Sequence, residues 1–308
     1  MWILFVCLIA GAFVGWFRLL PRVILNQAGR GMMIGVLILL LTMGLRIGVD
    51  QNTLSQLGSF GLQAFLFAVA AIIGSVVAVW LLERVFIGKS PMLPQQDKME
   101  VNSTEAAHPY QMTCAIIGAF IAGIFGGILL FPQAWTAYLP TITTLALDFT
   151  LVMVGIDLGL NRDIWRHMLK VGWQVFLAPV GVVLGSIVAA MVVGLCFGWE
   201  LREGGAVGAG FGWYSLSGVL ISDLHSVSLG TIAFLSNIFR EVLAIIFVPF
   251  LAKRVGPLAL VAPSGATAMD STLPLLVAVG PKGIGIVAII SGFSLSLLVP
   301  VLVPLVLG

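Results

Sequence analysis

Charge is what this chain has least of: Asp, Glu, Lys and Arg make up 9% of its 308 residues, against 60% hydrophobic. With a mean hydropathy of +1.13, that shortage excludes a water-soluble globule of ordinary composition, in which about a quarter of the residues are charged. Cysteine is scarce as well. Cys7, Cys114 and Cys196 stand isolated in apolar segments and share no metal-ligand spacing, so they read as small buried residues. No basic region precedes the first apolar run, and positive charges follow it, so that run is expected to be a retained first span and not a cleaved signal. The net charge of +2 is too small for a nucleic-acid partner and is better placed in the loops of a membrane protein.

What is present is apolar sequence in lengths that suit a bilayer. A spanning helix needs roughly 20 apolar residues, and full spans are predicted near 2–17, 31–49, 59–82, 112–131, 138–160, 171–198, 226–251 and 283–307. Two segments remain, 204–223 and 258–280, too glycine-rich or interrupted for simple spans. Reading both as re-entrant hairpins puts Arg18, Arg22, Arg30, Arg84, Lys89, Lys98, Arg162, Arg166, Lys170, Lys253, Arg254 and Lys282 on one side, twelve of the fifteen basic residues. By the positive-inside rule that side is the cytoplasm. The predicted fold is therefore an all-α polytopic membrane protein with eight transmembrane helices, both termini outside, and two opposed re-entrant hairpins made of broken helix.

Internal repetition supports this plan. MGLRIGVDQN (43–52) recurs loosely as VGIDLGLNRD (154–163), three spans later. An odd offset puts the copies at opposite membrane faces, the inverted-repeat arrangement of many secondary transporters. Residues 1–88 are thus the first three-helix repeat, 89–111 a hydrophilic cytoplasmic linker, 112–199 the second repeat, and 200–308 two hairpin-plus-helix units. The helices of those units share the endings FVPFL (from Phe247) and LVPVL (from Leu298). With the first hairpin dipping from outside and the second from inside, they would meet near the midplane, where exposed helix ends can line a cavity.

The candidate site residues sit in those units. An ionisable side chain at mid-bilayer costs at least about 2.5–3.5 kcal/mol, so buried charge points to transport or proton relay. Asn237, Arg240 and Glu241 lie at i, i+3 and i+4 on the helix after the first hairpin. Arg240 and Glu241, being adjacent, point about 100° apart and cannot pair with each other; Arg240 is expected to neutralise another buried acid. Glu241 lies roughly 22 Å along its helix and is the leading acceptor for a proton or an ammonium group. Asp270 lies in PSGATAMDSTLP with Thr267, between the helix-breaking Pro263 and Pro274; backbone amides freed there can bind a carboxylate, and Asp270 can take a cation or cap the broken helix. Trp213, Tyr214, Ser215 and Ser217 of GFGWYSLSG are read as substrate-lining, and Asp148 as a third interior acid, either Arg240's partner or a second titrating group. Arg46, Asp50 and Asp157 lie near span ends, and Ser291 and Ser294 could face the cavity or bond to their own helix.

Three long motifs, GFGWYSLSG from Gly210, NIFREVLAIIFVP from Asn237, and GATAMDSTLP from Gly265 with SLLVP from Ser296, resemble the LysO-type prokaryotic lysine exporter family. The likeness is strongest over 200–308. It implies an eight-span inner-membrane exporter of L-lysine and toxic lysine analogues, with termini outside and intramembrane acids required. Glu241 falls in what looks like the family's Arg-Glu motif, and Asp50, after Met43 and Gly44, is the nearest match to its N-terminal acid. No cofactor is implied beyond a coupling ion, H+ or Na+, since net positive charge leaving an inside-negative cell must be driven outward. The partners expected are L-lysine, its analogues and membrane lipid, with a homodimer one arrangement open to the chain.

Two rival readings use the same residues. One is an H+ or Na+ antiporter for a different small solute. The other is an intramembrane serine protease built on Ser217, Gly218 and His225, which requires the serine within hydrogen-bond reach of its base.

Overall fold

A computed structural model of the chain describes residues 2–21, 25, 27–49, 57–86, 109–130, 133–160, 172–281 and 283–308. Among the described residues every regular element is helical. Eight long helices coincide with the predicted spans: α1 (Trp2–Phe17), α2 (Ala28–Val49), α3 (Leu57–Phe86), α4 (Pro109–Leu129), α5 (Leu139–Leu160), α6 (Leu177–Cys196), α9 (Val227–Leu251) and α12 (Ile284–Leu307). Six of them, all but α1 and α4, are long and apolar enough over their described residues to cross a membrane. The two remaining segments are broken. The first comprises α7 (Leu201–Gly208) and α8 (Tyr214–Leu224); the second comprises α10 (Pro257–Val261), a 3-10 helix (Ala262–Met269) and α11 (Leu273–Val279). Each is a few residues wider or narrower than its predicted bounds. Most of the 89–111 linker, Asp50 and the ends of the repeated motif lie outside the described residues.

Glycine determines how the long helices cross. In α1, Gly11 and Gly15 lie against the backbone of Val152, Gly155 and Ile156 in α5, while Gly155 and Gly159 answer against Leu8 and Ala12. Gly44 and Gly48 of α2 meet Gly123 and Gly127 of α4 in the same way. Each pair is a small-xxx-small motif, which lets two backbones approach to contact where lipid offers no hydrophobic drive for association. The glycines of the repeated motif, Gly44 with Gly48 and Gly155 with Gly159, are therefore the crossing points themselves. Pairing is reciprocal. The first helix of each three-helix unit packs on the second helix of the other, α1 on α5 and α4 on α2, and the third packs on the third, α3 on α6. At that last crossing Gly74 and Gly185 face each other, and a side chain on either would overlap the other's carbonyl oxygen.

Two bodies result. α1, α2, α4 and α5 form one; α3, α6, α9, α12 and both broken segments form the other. They join where α8 rests on α2 and α5, α9 on α2, and α1 on α12. A small apolar cluster bridges the join, with Leu8, Val154 and Met32 from the first body and Trp213, Met269, Phe293 and Leu297 from the second. Outward faces are apolar, as on α6, where Val180, Leu184, Val188, Val192 and Leu195 are exposed. Cys196 continues that outward stripe and is exposed, and Cys7 is half-buried, so the expectation of buried cysteines fails for both: each lies on a flank turned partly or wholly away from the core.

Replacing Gly185 with Val is expected to lower stability in detergent by roughly 1–3 kcal/mol through overpacking. Gly118→Ala in α4, where a new methyl meets nothing within 4 Å, is expected to leave the melting temperature unchanged or slightly higher.

Candidate functional site

Both broken segments turn through backbone that favours glycine. α7 opens on a capping box, the Glu200 N–H donating to Glu203 Oε2 at 2.8 Å, and ends at a turn with Phe211 at φ 48° and Gly212 at φ 97°. In the second segment the chain reverses at Gly265, φ 58°, after Pro257 has opened α10, and Pro274 opens α11. The tips touch. The Ala266 N–H donates to the Phe211 carbonyl at 2.8 Å, and a side chain on Gly265 would overlap that same carbonyl. Glycine is thus needed at 265 for its torsion and for the approach of the two backbones.

α9 runs behind both tips, started by Ser226, whose Oγ accepts from the Leu229 N–H at 3.3 Å. Asn237 latches the first tip: its Oδ1 accepts the Gly212 N–H at 2.6 Å, and its Nδ2 donates to the Ala233 carbonyl at 2.8 Å and to Ser217 Oγ at 3.2 Å. Ser217 in turn donates to the Trp213 carbonyl at 2.8 Å. Both side chains, Ser217 read from sequence as substrate-lining and Asn237 as a candidate site residue at i to Glu241's i+4, bond to backbone that the break in the helix leaves open.

Arg240 is 1% exposed and does not neutralise an acid, contrary to expectation. Its Nε donates to the Pro263 carbonyl at 3.1 Å, Nη2 to the Ala262 carbonyl at 3.2 Å and Ser75 Oγ at 3.1 Å, and Nη1 to Ser186 Oγ at 2.9 Å. All four acceptors are neutral. The reason is geometric: the fork points at the carbonyl end of the second segment's first limb, where helix breakage supplies free acceptors.

Glu241, one position on and turned to another face, is 7% exposed. It meets the second tip, where Ser271 and Asp270 are its electrostatic neighbours. Asp270 ends the 3-10 helix, accepts the Ser271 N–H through Oδ1, and is exposed. Of the two roles read for Asp270, the cap is limited to the Ser271 N–H, since α11 has Thr272 as its N-cap and no side-chain cap.

Asp148 is not Arg240's partner. It stands half-buried on α5 with Oδ1 unpaired, near Asp223 at the end of α8. Thr144 Oγ1 reaches Asp223 Oδ1 at 3.3 Å, and Arg46 of α2 is also near Asp223. This second polar group lies on the join between the two bodies, away from Glu241. Tyr214 packs edge-on against Phe234 with centroids 5.9 Å apart, Trp213 belongs to the bridging apolar cluster, and Ser215 is buried in the first turn of α8. Thr267 donates to the Ser264 carbonyl at 2.8 Å and receives Thr272 Oγ1 on its own carbonyl at 2.9 Å, so it shapes the tip. Ser291 and Ser294 each keep a buried hydroxyl without a partner.

Sequence reading missed Ser75, Ser186, Ser271 and Thr272. A signal for the first two exists: IIGSVVAV (72–79) and VLGSIVAA (183–190) repeat at the same separation as Gly44 and Gly155. The protease reading fails on geometry. Ser217 is occupied by Trp213 and Asn237, while His225 reaches Glu203 at 3.3 Å and its neighbour Ser226 at 3.3 Å, so Ser217 and His225 are not paired.

Asn237→Ala strands the buried Gly212 N–H, and thermal unfolding in detergent should register a loss of about 1–3 kcal/mol. Ser217→Ala should register less, because Asn237 Nδ2 keeps the Ala233 carbonyl.

Known proteins were compared with the whole chain. The family model described as Lysine exporter LysO matches residues 5–92 and 117–307. The lysine exporter LysO of Escherichia coli (strain K12) is 28% identical over 268 residues, covering 87% of this chain and 86% of its own length. A protein of Haemophilus influenzae (strain ATCC 51907 / DSM 11121 / KW20 / Rd), named provisionally as a lysine exporter, is 30% identical over 188 residues, covering 61% of this chain and 94% of its own. No solved structure matches. With both broken segments and most of every long helix inside the matched ranges, the chain belongs to the lysine exporter LysO family.

Proposed function

We propose that this protein exports L-lysine and lysine analogues from the cytoplasm in exchange for an entering cation, H+ or Na+, and that Glu241 is the exchanging group. The observation that carries the reading is the meeting of buried Glu241 with Ser271 and Asp270 where the second segment breaks, in a chain of the lysine exporter family. Lysine brings two ammonium groups and one carboxylate. Two acids at one tip suit the ammonium groups, and the amides that open α8 beside Ser215 suit the carboxylate. Outward movement of one net positive charge costs about 2.3 kcal/mol per 100 mV of inside-negative potential, so an entering cation must drive it. When Glu241 is protonated from outside it releases the ammonium group; when the proton leaves on the inside it binds the next.

In the membrane we place eight spans with both termini outside, α7–α8 entering and leaving from outside and α10–α11 from inside. The reciprocal pairing of α1 with α5, α2 with α4 and α3 with α6 supports an inverted three-helix repeat. The body that carries both broken segments moves against the other along the apolar join at Trp213 and Met269, exposing the acids to each side in turn.

Counterflow of labelled lysine into proteoliposomes tests the function. Wild-type protein is expected to accumulate label, and Glu241→Gln and Asp270→Asn to lose at least tenfold in rate; wild-type protein that moves another solute but not lysine would transfer the site to a different antiport. Export that ignores an imposed pH gradient would leave Na+ as the coupling ion. Topology has its own check: on a cysteine-free background, cysteines at Glu200 and His225 should both label from outside, and cysteines at Arg254 and Pro281 both from inside.

A further inference from the structure

Arg240 sits next in sequence to the proposed exchanging acid, yet its guanidinium has no carboxylate among its partners. A buried guanidinium ordinarily needs a paired acid. Here the charge is met differently. Two consecutive carbonyls, Ala262 and Pro263, take one edge of the fork; they close the first limb of the second segment, the electronegative end of a short helical stretch. Ser75 and Ser186 take two of the three remaining donors.

Those two serines are counterparts. Ser75 follows Gly74 in α3 and Ser186 follows Gly185 in α6, and the two glycines face each other at the α3–α6 crossing. Each three-helix unit therefore contributes one hydroxyl to the same guanidinium. Ser186 also donates to the Gly208 carbonyl at 2.7 Å, the last residue of α7, so it joins the first segment to Arg240. Below the tips the fit is close: the Arg240 guanidinium carbon would lie 3.3 Å from a side-chain carbon at Gly265, and its Cδ 4.0 Å from one at Gly212.

We propose that Arg240, Ser75 and Ser186 form a positioning device that pins both broken segments to the α3–α6 crossing and thereby sets Glu241 against Asp270, and that Arg240 does not contact the cargo. Four of its five N–H groups are held by the protein on α3, α6 and the second segment, which leaves the substrate carboxylate chiefly to other donors. Ser75 acts through the guanidinium, and Ser186 acts through the guanidinium and through the Gly208 carbonyl. This inference rests on the lysine-transport reading only for its binding readout.

The test is a double-mutant cycle on the full chain in detergent, reading the dissociation constant of labelled lysine and the melting temperature. Ser75→Ala and Ser186→Ala are each expected to weaken lysine binding about three- to tenfold, Ser186→Ala by the larger factor because it also strands the Gly208 carbonyl. In an Arg240→Gln background Ser75→Ala should add less than twofold, since the group through which it acts is gone, and Ser186→Ala should add less than it does in the wild type. If Arg240→Gln does not yield folded protein, Arg240→Lys, which keeps the charge but not the fork, takes its place in the cycle. Additive losses, or serine variants that bind lysine as tightly as wild type, overturn the positioning role. Wild-type protein that binds no lysine overturns the transport reading instead, and the cycle is then read on melting temperature, where the same non-additivity is expected.

Discussion

A helix broken inside a bilayer leaves amides and carbonyls that water cannot reach, and each must find a partner within the protein. Everything distinctive about this molecule follows from how that demand is met. Asn237 takes the Gly212 amide, Arg240 takes the Ala262 and Pro263 carbonyls, Ser186 takes the Gly208 carbonyl, and the tips satisfy each other through Ala266 and Phe211. All but the last come from side chains on continuous helices behind the tips. The continuous helices are thus a matched set of donors and acceptors, and the breaks sit where that set can serve them.

With its backbone satisfied in this way, the second tip can devote its acids to other work. Glu241 is carried by a helix whose neighbouring positions are tied to structure, while Asp270 sits at the end of the 3-10 helix. The two acids are close enough to interact. A single helical step separates two environments: the guanidinium at 240 is bonded to carbonyls and hydroxyls, while the carboxyl at 241 meets Ser271 and Asp270.

Much of this was legible in the residues. Spans appeared because apolar length is a direct consequence of bilayer thickness, and the broken segments appeared because proline and glycine remove donors and permit left-handed backbone. Glu241 and Asp270, singled out for the cost of charge at depth and for a break in the helix, are neighbours in the structure. Direction was not legible. Arg240 was assigned an acid partner because charge seeks charge, but its real acceptors are carbonyls that exist only after the chain has turned at Gly265, and no spacing along α9 announces them. Asn237 and Ser217 failed similarly, since a polar side chain near a cavity and one that braces its wall have the same sequence. Ser75 and Ser186 were hidden among residues whose apolar neighbours gave no reason to look, although their shared Gly-Ser context recurs at the separation of the repeated motif.

The contact between Gly74 and Gly185 has a bearing on the history open to such a molecule. Because each glycine occupies the space that the other's side chain would need, a gain of bulk on either helix is felt by both, and no compensating loss is available opposite, where there is already only hydrogen. Substitution that accumulates elsewhere along α3 and α6 is closed off at this point. The two helices can change in what they carry, but not in how they touch.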